Sequence, residues 1–399
     1  MQNNKSYELR KRLLFTISIL AIYLVGRSLL LYGVDSTAYN FSDINSQNLL
    51  LAMVSGDRYQ CTFFALGIMP AITSDLIVQF ALALRSSEYR ARFSPQKVKR
   101  ISRVLLIFMS GAFAVSRAQE LIFKDMGFSP EVLKAIAVAE MVMGAVIIYK
   151  LADINKDHGI GGQSVIILVN IVDNLASTIK AYPANELRMP MILCCIMMLI
   201  IYFAEKKIIK IPVQRVSIHN SYEDQDYIGF KLNPIGVMPV MFAVTFFMIP
   251  QLILELLIYI YGNGTIWGRL SEKMNLMDST GILVYLSIII LLDVLFSFVL
   301  IAPGDMAEQL QKGGDSIVNV YAGKKTNRYL KRTLLILSIL SGLLLSVLMG
   351  FSLHLALNGR ISSDLALLPS TAMLLVGLVY RVYEEIKIYV QFDSFRFFI

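Results

Sequence analysis

The sequence predicts an all-α polytopic membrane protein, with ten transmembrane helices in two inverted five-helix halves around a central pore. Three observations carry that reading. The chain of 399 residues is 56% hydrophobic and 17% charged, with a mean hydropathy of +0.62, whereas soluble domains sit near half apolar and a quarter charged. Ten stretches approach the ~20 apolar residues that cross a bilayer. Most of the 37 Lys and Arg residues fall in alternate loops, which places those loops and both termini on the cytoplasmic side.

The first stretch, 13–32, follows Lys5, Arg10, Lys11 and Arg12. It imitates a signal peptide, but it is too long, contains Arg27 and lacks a small-residue cleavage site, so it reads as an uncleaved span. The second, 67–84, opens on Gly67 and Pro70 behind a polar lead-in. Spans follow at 104–123, 132–151 and 164–182, then at 189–205, 234–261, 281–302, 333–354 and 365–383. The chain divides five and five at the outer loop near Tyr182–Arg188, giving an N-terminal half, 1–182, and a C-terminal half, 183–399. Halves with an odd number of spans enter the membrane in opposite orientations.

Two cytoplasmic loops are long, 206–233 and 303–331. In the first, β-branched and aromatic runs flank a polar "HNSYEDQD", the pattern of a β-hairpin. In the second, Pro303 closes span eight and "DMAEQLQKGG" reads as a short helix. Asp305 and Glu308 have capping-box spacing, and Gly313–Gly314 end it. Basic "GKKTNRYLKR" then leads into span nine. Such loops can be solvated connectors; two structured basic projections on one face suit the docking of a cytosolic partner better.

Span two carries a stripe at helical spacing, Ile68, Ile72, Asp75 and Gln79, and span five a related one, Ile167, Asn170, Ile171 and Asn174. A carboxylate at membrane depth is costly and turns away from lipid. The stripes read either as a packed polar helix contact or as a water-accessible path with an apolar constriction, and the path accounts for both.

No catalytic constellation is present. Cys61, Cys194 and Cys195 form no metal-ligand pattern, and His158, His219 and His354 lie far apart. "AGKKT" (322–326) lacks the glycine a phosphate loop needs five residues before Gly323. "GGQS" (161–164) follows no strand. The chain therefore reads as a non-enzyme without cofactor, metal or nucleic acid, and its energy source lies in a partner.

"FALGIMPAITSDLIVQFAL" resembles the second span of the SecY family, the channel of general protein export. "HGIGGQSVIILVNIV" (158–172), "NPIGVMPVMFA" (233–243) and "PGDMAEQLQKGG…TNRYLKR" (303–332) resemble further family stretches in the same order. The resemblance implies an hourglass pore and a plug at about Leu49–Phe64 ahead of the "GIMP" helix. It implies a pore ring of Ile68, Ile72, Ile167, Ile171, Met241 and Leu375, with Asp75, Gln79 and Asn170 as polar residues of the pore and of a lateral gate lined by spans two and seven. It implies a SecA motor ATPase docked on the two loops, through Lys206, Arg215, Lys324, Lys325 and Arg328. Three features depart from the common pattern: "VNVYAG" (318–323) puts Tyr321 at the usual arginine, Asp75 replaces a small or apolar residue, and the tail and outer loops are short. These suggest the accessory paralogue of certain Gram-positive bacteria, which works with its own SecA and other accessory Sec proteins and exports glycosylated serine-rich adhesins. Small SecE- or SecG-like subunits, the secreted preprotein and membrane lipid complete the implied partners. A housekeeping-type channel and a secondary transporter with inverted repeats are the alternatives.

Overall fold

A computed structural model describes residues 7–35, 61–83, 94–124, 127, 129–214, 226–261, 266–274, 278–359 and 361–395. The expected plug falls mostly on 49–60, outside the described residues, as does Arg215.

Among the described residues ten helices are 15 residues or longer: α1 (Tyr7–Ser28), α2 (Met69–Ala83), α3 (Pro95–Glu120), α4 (Pro130–His158), α5 (Gly162–Ala181), α6 (Ala184–Lys206), α7 (Met238–Tyr261), α9 (Ser279–Phe296), α11 (Lys324–Leu357) and α13 (Leu368–Phe395). Three short helices lie between them, α8 (Ile266–Lys273), α10 (Pro303–Gly313) and α12 (Ser363–Ala366). Six segments, in α3, α4, α5, α6, α9–α10 and α11, are long and apolar enough to cross a membrane, and α2 and α7 supply shorter apolar segments. The ends of α1 and α13 are crowded with charge, Arg10, Lys11, Arg12 and Arg27 in one, Arg381, Glu384 and Glu385 in the other, which leaves both short of that standard.

Local chemistry sets the boundaries. The Ser94 side chain accepts from the Lys97 N–H, and Pro95 follows where a missing N–H is harmless. The expected loop 182–188 shrinks to Tyr182–Pro183, because α6 already begins at Ala184. Span eight ends just before Pro303, as expected, but not as a plain α-helix. After Phe296 the chain makes a π-helical turn over Ser297–Ile301, and Ala302 takes a left-handed conformation, φ 47°. Pro303 then opens α10. The capping box is therefore not formed: Asp305 lies inside the first turn, and Glu308 pairs forward with Lys312 at 2.9 Å. Gly314, φ 76°, ends α10 with the Asp315 N–H bonded to the Leu310 carbonyl, a Schellman closure.

The hairpin forms as expected, β1 (Ile208–Gln214) antiparallel to β2 (Tyr227–Lys231), with Ile208 opposite Lys231 and Pro212 opposite Tyr227. A two-residue strand from the second loop, β3 (Ser316–Ile317), adds to the free edge of β1, giving the order β2-β1-β3. One face of this sheet, with Ile211, Phe230 and Ile317, packs on Ala307, Leu330, Leu334 and Leu337. The two loops are one folded unit.

The main apolar core runs through the middle of the bundle and draws on all ten long helices. The first five helices meet the rest unequally. α5 packs along α13, whereas α2 touches α7 and the 297–301 turn over a narrow seam. Deep in the bundle Asp293 of α9 is fully buried and accepts from the Ser341 hydroxyl of α11, against Gly342. The sequence reading passed over this carboxylate, since one charge in an otherwise apolar run leaves hydropathy almost unchanged.

The turn 61–68 is pinned before α2 begins. The Leu31 N–H bonds the Cys61 carbonyl, the Phe63 N–H bonds that of Leu29, and Phe64 stacks on Tyr23 at 5.7 Å. A Cβ on Gly26 would lie 2.2 Å from the Phe64 ring, and one on Gly144 would lie 2.1 Å from the Phe63 carbonyl oxygen. Backbone cannot move aside as a ring can, so Gly144→Ala should destabilise the detergent-solubilised protein by about 1–3 kcal/mol, the range for overpacking. Gly111→Ala, with nothing within 4 Å of its added methyl, should be neutral or stabilising in the same thermal melts.

Candidate functional site

The six residues of the expected ring come from four places: Ile68 from the turn before α2 and Ile72 from α2, Ile167 and Ile171 from α5, Met241 from α7, and Leu375 from α13. The fold brings all six into one apolar cluster. The first five are at most 4% exposed, and Leu375 is half-buried against them. Two neighbours on the α5 stripe, Asn170 and Asn174, are also buried.

The three polar residues expected beside the ring do not stand together. Asn170 is fully buried, and its side-chain oxygen accepts from the Tyr23 hydroxyl at 2.7 Å. It thereby braces the aromatic ring on which Phe64 stacks. Gln79 is exposed. Asp75 lies between them, half-buried, hydrogen-bonded by the Gln163 amide at 3.4 Å and by the Ser102 hydroxyl. Those donors sit on α5 and α3, so Asp75 ties α2 to its own half rather than across the seam to α7 or α9. Arg27, the odd cation of the first span, pairs with Asp173 of α5 at 2.5 Å.

What crosses the seam is aromatic. Phe80 of α2 stacks on Phe296 of α9, with centroids 5.1 Å apart and planes 15° from parallel. Phe296 also meets Phe242 of α7 at 4.9 Å, and Phe80 meets Phe246 of α7 edge-on at 6.4 Å. Sequence reasoning missed this group because its members lie far apart along the chain. The signal available was the placement of each ring within an apolar span, which marks core and nothing more specific.

On the opposite edge the contacts are polar. The Gly161 N–H bonds the Glu385 carboxylate of α13, Arg12 donates to the Gly159 carbonyl at 3.3 Å, and its guanidinium lies 4.8 Å from the Tyr389 ring. One edge of the interface between the halves carries a hydrogen bond and a cation–π contact, and the other is closed by stacked rings.

Of the expected docking residues, Lys206 is exposed at the end of α6 with its ammonium 5.6 Å from the Tyr202 ring. Lys324, Lys325 and Arg328 are all exposed in the first turns of α11. Lys325 lies over Tyr321 at 4.6 Å, and Tyr321 is 76% exposed. The position that departs from the family pattern is thus a strongly exposed aromatic side chain on this face.

Comparison with known proteins bears on this arrangement. The SecY family model matches residues 62–383. The chain is 27% identical to the accessory Sec system protein translocase subunit SecY2 of Leuconostoc gelidum subsp. gasicomitatum, over 96% of this chain and 95% of that protein. It is also 27% identical to the SecY2 of Streptococcus agalactiae, over 95% and 93%. Among solved structures it resembles a protein-conducting channel, with a TM-score of 0.68 at 20% identity, covering 95% of this chain and 92% of the other. The Sec61 of a canine ribosome–channel complex is similar at a TM-score of 0.61 and 19% identity, with the same coverage. These structures share the fold.

If stacked rings hold the seam, removing one should loosen that edge alone. In Phe296→Ala, hydrogen exchange measured by mass spectrometry should quicken in α2 and α7 and stay unchanged in α5 and α13. Uniform quickening would mean that Phe296 serves the whole core, where truncating a buried Phe costs about 3–5 kcal/mol.

Proposed function

Since this chain belongs to the SecY family, we propose that it is the pore-forming subunit of an accessory Sec translocase, which conducts secreted polypeptides across the bacterial cytoplasmic membrane. The observation that carries the reading is that the six expected ring residues, drawn from both parts of the chain, meet in the apolar core at the centre. A ring of that kind repels water and ions when closed, by dewetting, and parts around a chain that pushes through it. Ile68, Ile72, Ile167, Ile171, Met241 and Leu375 form the ring, residues 1–182 and 183–399 are the two halves, and the seam between α2 and α7–α9 is the lateral exit.

The cytoplasmic loops give the proposal its orientation. Their shared sheet and α10 form a platform carrying exposed Lys206, Lys324, Lys325 and Arg328, consistent with a cytoplasmic face and with both termini on that side. A SecA-type motor ATPase docks there and supplies the energy, since this chain is a channel rather than an enzyme. The likeness to SecY2 proteins favours the accessory branch, with its own motor, other accessory Sec proteins and SecE- or SecG-like subunits as companions. Glycosylated serine-rich adhesins are the cargo this branch implies. A ribosome-docked or housekeeping role is disfavoured by Tyr321, whose exposed ring stands where a docking arginine is usual.

Two experiments test the proposal. Reconstituted in planar bilayers, the Ile72→Ser/Ile171→Ser double variant should leak ions at rest, while Ile72→Val/Ile171→Val, which keeps the ring apolar, should stay sealed. Equal conductance in the two would remove these residues from the seal. Reversing Lys324, Lys325 and Arg328 to Glu should weaken binding of the cognate motor about tenfold at low salt. The difference should shrink as salt rises, because exposed charges are screened. Affinity indifferent to both changes would make the platform a connector.

A further inference from the structure

Between the platform and the bundle lies a cavity of about 100 Å³ whose lining includes Glu205, Lys231, Gly236, Tyr380, Arg381 and Glu384. Glu205, at the end of α6, is 5% exposed. The Lys231 ammonium, on the last residue of β2, lies 3.9 Å from the Glu205 carboxylate, also pairs with Glu384 of α13, and stands 5.1 Å from the Tyr380 ring. Fully buried Asn233 reaches both ways: its amide nitrogen is 3.5 Å from the Glu205 carboxylate, and its amide oxygen accepts from the Gly236 N–H at 3.1 Å.

The same turn launches α7. Gly236 has φ 75°, and a Cβ there would lie 2.7 Å from a Glu205 oxygen, so the backbone runs directly over the buried carboxylate. Val237 seats against Gly377 of α13, where an added Cβ would lie 2.4 Å from it. Met241, one turn on, belongs to the central cluster, and Phe242 to the stacked rings. Six residues therefore separate the end of the platform's sheet from the first turn of α7, and at Gly236 they rest on the Glu205 carboxylate.

We infer that Glu205, Lys231 and Asn233 form a coupling cluster that passes displacement of the platform to the start of α7, acting as positioning residues for opening of the ring. A buried carboxylate separated from its cation is strongly destabilised. When docking moves β2 and carries Lys231 with it, Glu205 loses its nearest cation and keeps only Arg381 beside it, so the carboxylate and the 232–237 turn resting on it shift as well. The cavity gives the ion group room to move without a clash. Glu205 and Asn233 contact neither cargo nor motor; they act through α7. The inference rests on the proposed translocase role.

The test uses the channel reconstituted in proteoliposomes with its cognate motor, ATP and a preprotein. Glu205→Gln keeps the shape and the hydrogen bonds of the side chain but removes its charge. It should leave motor affinity within about twofold and slow transport about tenfold, in the range for residues sharing one ion network. Lys231→Met added to it should slow transport no further, since both break one link. A cysteine pair, Ile72→Cys with Met241→Cys, reports the ring directly: motor and ATP should reduce its disulfide crosslinking in an otherwise wild-type channel and fail to do so with Glu205→Gln. That readout needs no transport, and Glu205→Gln is the variant least prone to misfold. Loss of affinity in step with transport, additive effects of the two substitutions, or an unaltered crosslinking response would overturn the coupling. A wild-type channel that neither transports nor responds to the motor would instead overturn the translocase reading on which the coupling rests.

Discussion

The apolar cluster at the centre of the bundle belongs to no single part of the chain. Ile68 and Ile72, Ile167 and Ile171, Met241, and Leu375 come from four elements whose backbones are each hydrogen-bonded within themselves. Backbone satisfied inside each helix is what a bilayer demands, and it leaves only side chains to hold one helix to the next. Apolar side chains attract without direction. A cluster made of them closes when the helices around it are brought near and opens when they separate, without any specific bond having to break.

The surrounding contacts then decide which separation is easiest. Along α5 and α13 the halves are joined by oriented polar contacts, the Gly161 N–H on Glu385 and the Arg12 guanidinium over Tyr389. Along α2, α7 and α9 they meet through Phe80, Phe242, Phe246 and Phe296. Stacked rings slide and tilt at modest cost, because their attraction is broad in angle, whereas a hydrogen bond weakens steeply with misalignment. The bundle is accordingly stiff on one edge and compliant on the other. Asp75 fits this division: its bonds to Ser102 and Gln163 keep α2 attached to the N-terminal helices when the other edge yields.

Much of this was legible in the sequence, and the reasons differ by element. Ten apolar runs showed the ten long helices because hydropathy sums over a whole span. The hairpin announced itself by alternation along β1, where Ile209, Ile211 and Val213 share a face. That Ile68, Ile72, Ile167, Ile171, Met241 and Leu375 share one core was expected from the resemblance, and the i, i+4 spacing of Ile68 with Ile72 and of Ile167 with Ile171 agrees with it. What escaped depended on tertiary partners. β3 is two residues long and carries no pattern of its own, so the merger of the two loops could not be read. The stripe on α2 was read as uniformly inward, yet it runs from buried Ile68 to exposed Gln79 because the helix emerges from the core along its length. Asp305 looked like a cap, but the left-handed Ala302 sets the true start of α10. Asp293 was hidden by the greasiness of its neighbours.

The notch that receives Phe64 also dictates an order of events in time. One wall is Gly26 of α1, already made when Phe64 leaves the ribosome, but the other is Gly144 of α4, which emerges some eighty residues later. Until α4 arrives, the 61–68 turn has half a socket, and Ile68 and Ile72 have no fixed place. The partners of α5 are later still, since α13 follows every other long helix. A nascent copy therefore lacks the closing contact of its core through most of its own synthesis. Its central side chains gain their last neighbours only when α13 packs along α5.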